Sequence, residues 1–126
     1  MIKKKVLNPK RVRKINGGFS FIPHRFLTDG FLALLNPHEL LLYFFLVLAG
    51  DRNGISFYNY DKICTLLQMN LERYIMARDE LINKDLIAFD GTLFQVLDLP
   101  VECPDLCKKE NRSPVEQLIQ QTIKGV

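Results

Sequence analysis

Seven cationic side chains crowd the first fourteen residues: Lys3, Lys4, Lys5, Lys10, Arg11, Arg13 and Lys14, with no carboxylate among them. Cations at this density, on a stretch without the periodicity of a packed element, suit the neutralisation of a phosphate backbone. The plainer alternative is a solvated stretch that keeps the protein soluble. Groups for covalent catalysis are sparse by comparison. His24 and His38 are the histidines of the chain, and His38 falls in a helix start, where solvent contact or capping is its expected role. Cys103 and Cys107 stand in a C-x3-C spacing that would hold a metal only with ligands brought from elsewhere, so neither metal nor cofactor is expected. Gly17-Gly18 follows no strand and makes no phosphate-binding loop. The chain is therefore expected to be no enzyme and to take no small-molecule substrate. Phe19, Phe21, Tyr58 and Tyr60 could stack on nucleobases, but core packing is the default for aromatic rings beside apolar helices.

A chain of 126 residues, 48% hydrophobic, is long enough to bury a core as one domain without a metal or disulfide. The formal charge of +3 conceals a segregation. Residues 1–25 hold eight Lys/Arg and no acid, residues 26–100 hold five against ten acids, and residues 101–126 hold four of each. The leading segment is thus basic and the globular part acidic. Three cysteines without framework spacing predict free thiols in a reducing cytoplasm, with Cys64 buried in its apolar run. No secretory apolar region follows the basic start, and the longest apolar run, residues 40–49, is shorter than the roughly 20 residues a bilayer span needs.

The elements that must position these residues read from their periodicity. Residues 1–18 form a basic arm, residues 19–100 a folded domain, and residues 101–126 a loop and a C-terminal amphipathic helix. Residues 19–22 read as a short strand or an extended segment on the core, residues 23–28 as a short helix, and residues 31–35 as an apolar turn. Asn36-Pro37-His38-Glu39 is a helix start, with Asn36 at the N-cap, Pro37 at N1 and Glu39 placed to reach back. The helix over residues 38–49 is apolar all round, so both its faces should be covered; Gly50 and residues 51–54 end it. Residues 60–69 line one face with Tyr60, Ile63, Cys64, Leu66 and Leu67. Asn70 caps a second helix that carries Leu71, Tyr74, Ile75, Leu81 and Ile82 on one side.

Residues 86–89 and 92–97 make strands around Asp90-Gly91, a dipeptide suited to a type I′ turn with positive φ at both central residues. Residues 55–57 supply a third strand. The fold class is therefore α+β and mostly helical, with a small antiparallel three-stranded sheet. Tyr43, Phe44, Leu46 and Val47 should be buried with Ile63, Leu67, Ile75 and Leu81. Ser113-Pro114-Val115-Glu116 starts a last helix whose stripe of Val115, Leu118, Ile119, Thr122 and Ile123 must bury itself on its own core or on a second copy, which would give a homodimer.

Asp51-Arg52-Asn53-Gly54, the run Tyr60-Asp61-Lys62-Ile63-Cys64-Thr65-Leu66-Leu67, Met69-Asn70, Arg78-Asp79-Glu80-Leu81-Ile82 and Lys84-Asp85-Leu86-Ile87 together carry a resemblance. Over residues 36–99 the chain resembles winged helix-turn-helix proteins of bacterial regulators and of plasmid or phage replication initiators. The resemblance implies binding of double-stranded DNA, with the second helix in the major groove, the hairpin wing on the backbone, and dimers common. It assigns DNA contacts to Asn70, Arg73, Met76 and Thr92, beside the non-specific affinity of the arm.

Three features depart from the family. Asp85 stands at the junction into the wing where the family has Gly, although Asp tolerates the left-handed region. Arg78 falls within the apolar face, where the family often has Leu; a half-buried Arg paired with a helix carboxylate such as Asp61 is the expectation, and a phosphate contact the alternative. The outward face of the second helix carries Glu72, Arg73, Met76, Asp79, Glu80 and Asn83, three acids against one base. Carboxylates there oppose phosphates and suit only cytosine amino groups. Two functions of different class remain open. One is a transcriptional regulator or mobile-element accessory protein on double-stranded DNA. The other is a protein-interaction module whose acidic second helix meets a basic partner.

Overall fold

The computed structural model describes residues 2–102. After a 3-10 turn at Pro9–Arg11 come α1 (Arg25–Thr28), α2 (Phe31–Leu34), α3 (Pro37–Ala49), β1 (Ile55–Ser56), α4 (Tyr60–Leu67), α5 (Leu71–Asn83), β2 (Ile87–Phe89) and β3 (Phe94–Val96). The fold is α+β, mostly helical, with one antiparallel sheet in the order β1-β3-β2. Helix α3 starts as its sequence dictates. Asn36 Oδ1 accepts from Glu39 N at 2.9 Å, Glu39 Oε1 accepts from Asn36 N at 3.3 Å, and Pro37 occupies the first turn. The stripe Glu39, Leu42, Tyr43 and Leu46 then faces the core at helical spacing. Phe26 of α1 stacks on Tyr43 at 4.9 Å and 3°, and burial pushes the Tyr43 hydroxyl up to about 12.

The expected cover on both sides of α3 is not found among the described residues. Leu41, Phe44 and Leu48 are 45%, 37% and 75% exposed, because they lie a quarter-turn or more from the buried stripe. Phe44 only flanks the core, its ring tilted 6.3 Å from Phe26. The same narrowing applies to the next two helices. Ile63 alone of its set is fully buried on α4, with Cys64 and Leu67 half-buried and Tyr60 and Leu66 exposed. Helix α5 buries Tyr74, Ala77 and Leu81, whereas Leu71, Ile75 and Ile82 border solvent. Val47 is half-buried. Residues 19–22 form no strand: Phe19 and Phe21 are exposed and Ile22 alone packs on the core. The stripe expected at residues 113–123 lies outside the described residues.

Both helix ends of the α4–α5 unit close on left-handed residues. Gln68 has φ 54°, and Met69 N donates to Cys64 O at 3.1 Å. Asp85 has φ 63°; its N–H donates to Ile82 O at 3.0 Å and Leu86 N to Leu81 O at 3.1 Å, the paired bonds of a Schellman end. Asp therefore serves at this junction, as its tolerance of positive φ predicts. The hairpin differs from expectation. Phe89 pairs with Phe94, so the loop is residues 90–93 and not the two-residue turn. Gly91 has φ 100°, but Asp90 does not take positive φ. Instead Asp90 Oδ1 accepts from Thr92 N at 2.8 Å and Leu93 N at 2.6 Å, and this side-chain bonding sets the longer loop. Gly54 (φ 81°) lies so close to β3 that a Cβ there would meet Val96 O at 2.7 Å.

Glu39, 4% exposed, is paired with Lys84 at 2.8 Å, and Lys84 Nζ also donates to Leu34 O at 2.9 Å. Lys84→Met should cost about 3–5 kcal/mol in urea unfolding by leaving that carboxylate unpaired, and adding Glu39→Gln should recover much of the loss. A double variant no more stable than the single one would refute this assignment. Leu81→Ala should cost about 2–5 kcal/mol and Phe44→Ala clearly less, since only the first opens a closed cavity. Equal losses would place Phe44 in the core after all.

Candidate nucleic-acid interface

The arm is solvent-exposed throughout residues 2–20. Its one regular feature is the turn at Pro9–Arg11, where Asn8 Oδ1 accepts from Lys10 N at 3.1 Å. None of the four ion pairs among the described residues uses Lys3, Lys4, Lys5, Lys10, Arg11, Arg13 or Lys14. Among the described residues, nothing acidic competes with an outside anion for the seven cations. The body's own cations are more committed. Arg25 holds Asp29 at 2.7 Å and the carbonyls of Pro100 and Val101 at 2.6 and 3.1 Å. Lys84 is enclosed with Glu39.

Helix α5 presents Glu72, Arg73, Met76, Asp79, Glu80 and Asn83 to solvent, as its sequence predicts. Asn70 and Arg73 meet, but in a structural contact: Asn70 Oδ1 accepts from Arg73 N at 2.8 Å and caps the helix. That occupies the oxygen and leaves the amide nitrogen. The guanidinium of Arg73 turns toward α3, its Nη1 3.1 Å from His38 Nε2. His38 is thereby held by Arg73, with its Nδ1 buried and unpartnered, a role neither of its expected ones anticipates. Met76 is 61% exposed. Thr92 sits in the hairpin loop, its side chain exposed and its N–H taken by Asp90. The loop itself, residues 90–93, contains no cation.

Arg78 is half-buried and paired, as expected, but with Asp79 rather than Asp61. Its Nε and Nη2 both lie 3.1 Å from Asp79 Oδ1, and the guanidinium sits 5.7 Å over the Tyr74 ring and 5.2 Å over Phe89. Burial raises the Tyr74 hydroxyl pKa, and Arg78 pulls against that shift. Of the four aromatic residues with stacking potential, Tyr58 packs edge-on to Phe45 at 5.1 Å, whereas Phe19, Phe21 and Tyr60 are more than half exposed. Phe57, 55% exposed, joins them on the surface, and the half-buried Phe89 stacks on Phe94 at 4.3 Å beside it. The run Phe57-Tyr58-Asn59-Tyr60, three rings in four residues, is the signal in the sequence that points to Phe57.

Among the described residues no group of His, Cys, Asp and Glu could hold a metal ion, and no helix is long and apolar enough to cross a membrane. Cys64 is half-buried rather than buried; burial, then the nearby Asp61, raise its thiol pKa and lower its reactivity. Cys103 and Cys107 lie outside the described residues. No family model, curated protein or solved structure matches the chain.

Asp90 in the hairpin loop and Asp51 before β1 have carboxyls held below the ordinary value. Backbone N–H donors cause this, chiefly Leu93 and Thr92 for Asp90 and Ile55 and Asn53 for Asp51. A depressed folded pKa means that the stability these groups add is complete above the unfolded value, about 3.9, and is lost as pH falls through the folded one. Acid unfolding should therefore steepen below about pH 4, and Asp51→Asn with Asp90→Asn should flatten that limb while the amide oxygens keep both turns. An unchanged acid limb in circular dichroism would contradict this.

Proposed function

We propose that the protein is a winged helix-turn-helix DNA-binding protein that engages double-stranded DNA chiefly through its basic arm. Two features support the class: α3 and β1 precede a tight pair of helices, and a hairpin comes after them whose second strand pairs with β1. The single observation that carries the DNA reading is the arm, seven cations that enter no ion pair among the described residues. Each neutralised phosphate releases condensed counterions, so such an arm binds duplexes of any sequence. The chemistry of α5 sets a limit on the rest. With Glu72, Asp79 and Glu80 outward, the helix cannot seat deeply among phosphates, and its contribution is confined to the Asn70 amide, Arg73, Met76 and the adjacent Thr92 loop. Regulation of transcription, or service to a mobile element, fits a protein with broad affinity and slight sequence preference.

The second reading, a protein-interaction module, draws on a specific observation. The exposed apolar residues Leu71, Ile75, Met76 and Ile82 share α5 with those acids, a mixed surface suited to a basic amphipathic partner.

Salt separates the two. An arm engaging four or five phosphates should give a slope of log K against log[salt] of about −4, and deleting residues 1–14 should flatten it. A labelled duplex titrated at several ionic strengths reads both values. If the intact protein fails to bind at low salt, the DNA reading is wrong and the acidic face of α5 becomes the functional surface.

A further inference from the structure

A groove of about 310 Å³ opens between the start of α4 and the hairpin loop. Phe57, Tyr58 and Tyr60 line it together with Tyr74, Phe89 and Arg78. Its chemistry is unlike that of the rest of the body. Residues 26–100 carry twice as many acids as bases, yet no carboxylate lines this surface and one guanidinium does. Phe57 and Tyr60 leave 55% and 56% of their surface in water, an unusual concentration of ring area on one edge.

Two details make the groove receptive to a polar aromatic ligand. Asn59 occupies the N-cap of α4 without making a side-chain cap bond, whereas Asn36 and Asn70 both make theirs. Its amide, which also lines the groove, is left to bond something else. Gly91 and Thr92 of the hairpin loop complete the lining without adding a bulky side chain. The volume is at the small end of ligand sites, which run from roughly 300 to 1,000 Å³, room for about one nucleotide and too little for a duplex.

We propose that this groove binds an unpaired base of single-stranded DNA, stacked on Tyr60 and Phe57, with its phosphate facing Arg78 and the Asn59 amide. The inference rests on the DNA-binding reading and adds a second mode to it: the arm holds backbone, and the groove takes a base that has left the stack. Every base offers a π-face, so the preference is for single strand over duplex and not for sequence. Arg78 is held in place by Asp79 and two rings, so a phosphate beside it meets an ordered guanidinium whose charge is shared with Asp79, and the stacked rings carry most of the affinity.

The test uses the full chain with a fluorescein-labelled oligothymidylate strand and a duplex of equal length. Phe57→Ala combined with Tyr60→Ala should weaken strand binding roughly ten-fold or more, the effect of losing a stacked base, and leave duplex affinity within about two-fold. Tyr60→Phe, which keeps the ring, should bind the strand like the parent. Photocrosslinking a 5-iododeoxyuridine strand to the unmutated protein should label residues 57–60, which keeps the result independent of how the variants fold. Unchanged strand affinity with no crosslink at those residues overturns the groove proposal alone, and so does equal weakening for strand and duplex. Failure of the intact protein to bind either probe at low salt overturns this proposal and the DNA reading together.

Discussion

One buried ion pair organises the molecule. Glu39 accepts from Asn36 Nδ2 at 2.8 Å and from Lys84 Nζ at 2.8 Å, so one carboxylate completes the start of α3 and anchors the end of α5. Lys84 adds the Leu34 carbonyl at the end of α2. The end of α2, the start of α3 and the distant end of α5 thus meet at two charges. Such a pair contributes little net stability against an apolar replacement, because desolvation offsets attraction. Its value is positional: only one register of α5 along α3 satisfies both groups, and any other leaves a charge buried alone, at a cost of several kcal/mol.

Fixing the end of α5 also fixes the hairpin. Lys84 is the C-cap, Asp85 turns left-handed beside it, and Leu86 N returns to Leu81 O before β2 begins. The hairpin is thereby launched against β1, where Val96 N donates to Gly54 O at 2.9 Å. The rotation of α5 is set by the same contacts. With Tyr74, Ala77 and Leu81 inward, Glu72, Asp79 and Glu80 have no direction but outward, and Arg78 falls between Tyr74 and the hairpin ring of Phe89. The acidic helix face and the aromatic groove are both consequences of one helix orientation.

Local chemistry was legible in the sequence; shared surfaces were less so. Asn36 and Asn70 announce their helices because a cap is decided by residues within one turn of it, and both make the bonds their positions predict. The width of a buried face is a different matter. Periodicity marks Phe44, Ile75 and Tyr60 as apolar-side residues, but the neighbour across from each decides burial, and sequence alone does not supply the neighbour. The hairpin loop shows local competition of another kind. Asp-Gly suits a two-residue turn, yet the Asp90 carboxylate satisfies two later N–H groups and makes the loop longer. Arg78 is half-buried and paired as its place on the wheel predicts, but its partner is the adjacent Asp79 and not Asp61. Of the DNA contacts that the resemblance assigns, the structure commits the Asn70 oxygen to the cap bond that its position predicts, and the Arg73 guanidinium to a contact with His38, 35 residues away, that no local spacing could disclose.

The segregation of charge shapes any mode of DNA binding open to this chain. The arm's attraction and the repulsion from α5 act on the same phosphates, and both decay over a Debye length of about 10 Å at roughly 0.1 M salt. A duplex held by the arm is therefore not drawn onto α5, and close approach is favoured only where the body lacks carboxylates. No carboxylate lines the groove beside the hairpin, and the nearest one fixed by contact, Asp79, is offset by its pair with Arg78. A neutralised guanidinium between rings adds little long-range attraction, so the groove does not compete with the arm for intact duplex. It gains importance once a base is unpaired and can offer its face to Tyr60. On the proposed reading, affinity and discrimination are carried by different parts of one chain, the first by counterion release along the arm and the second by stacking on rings where no carboxylate lines the surface.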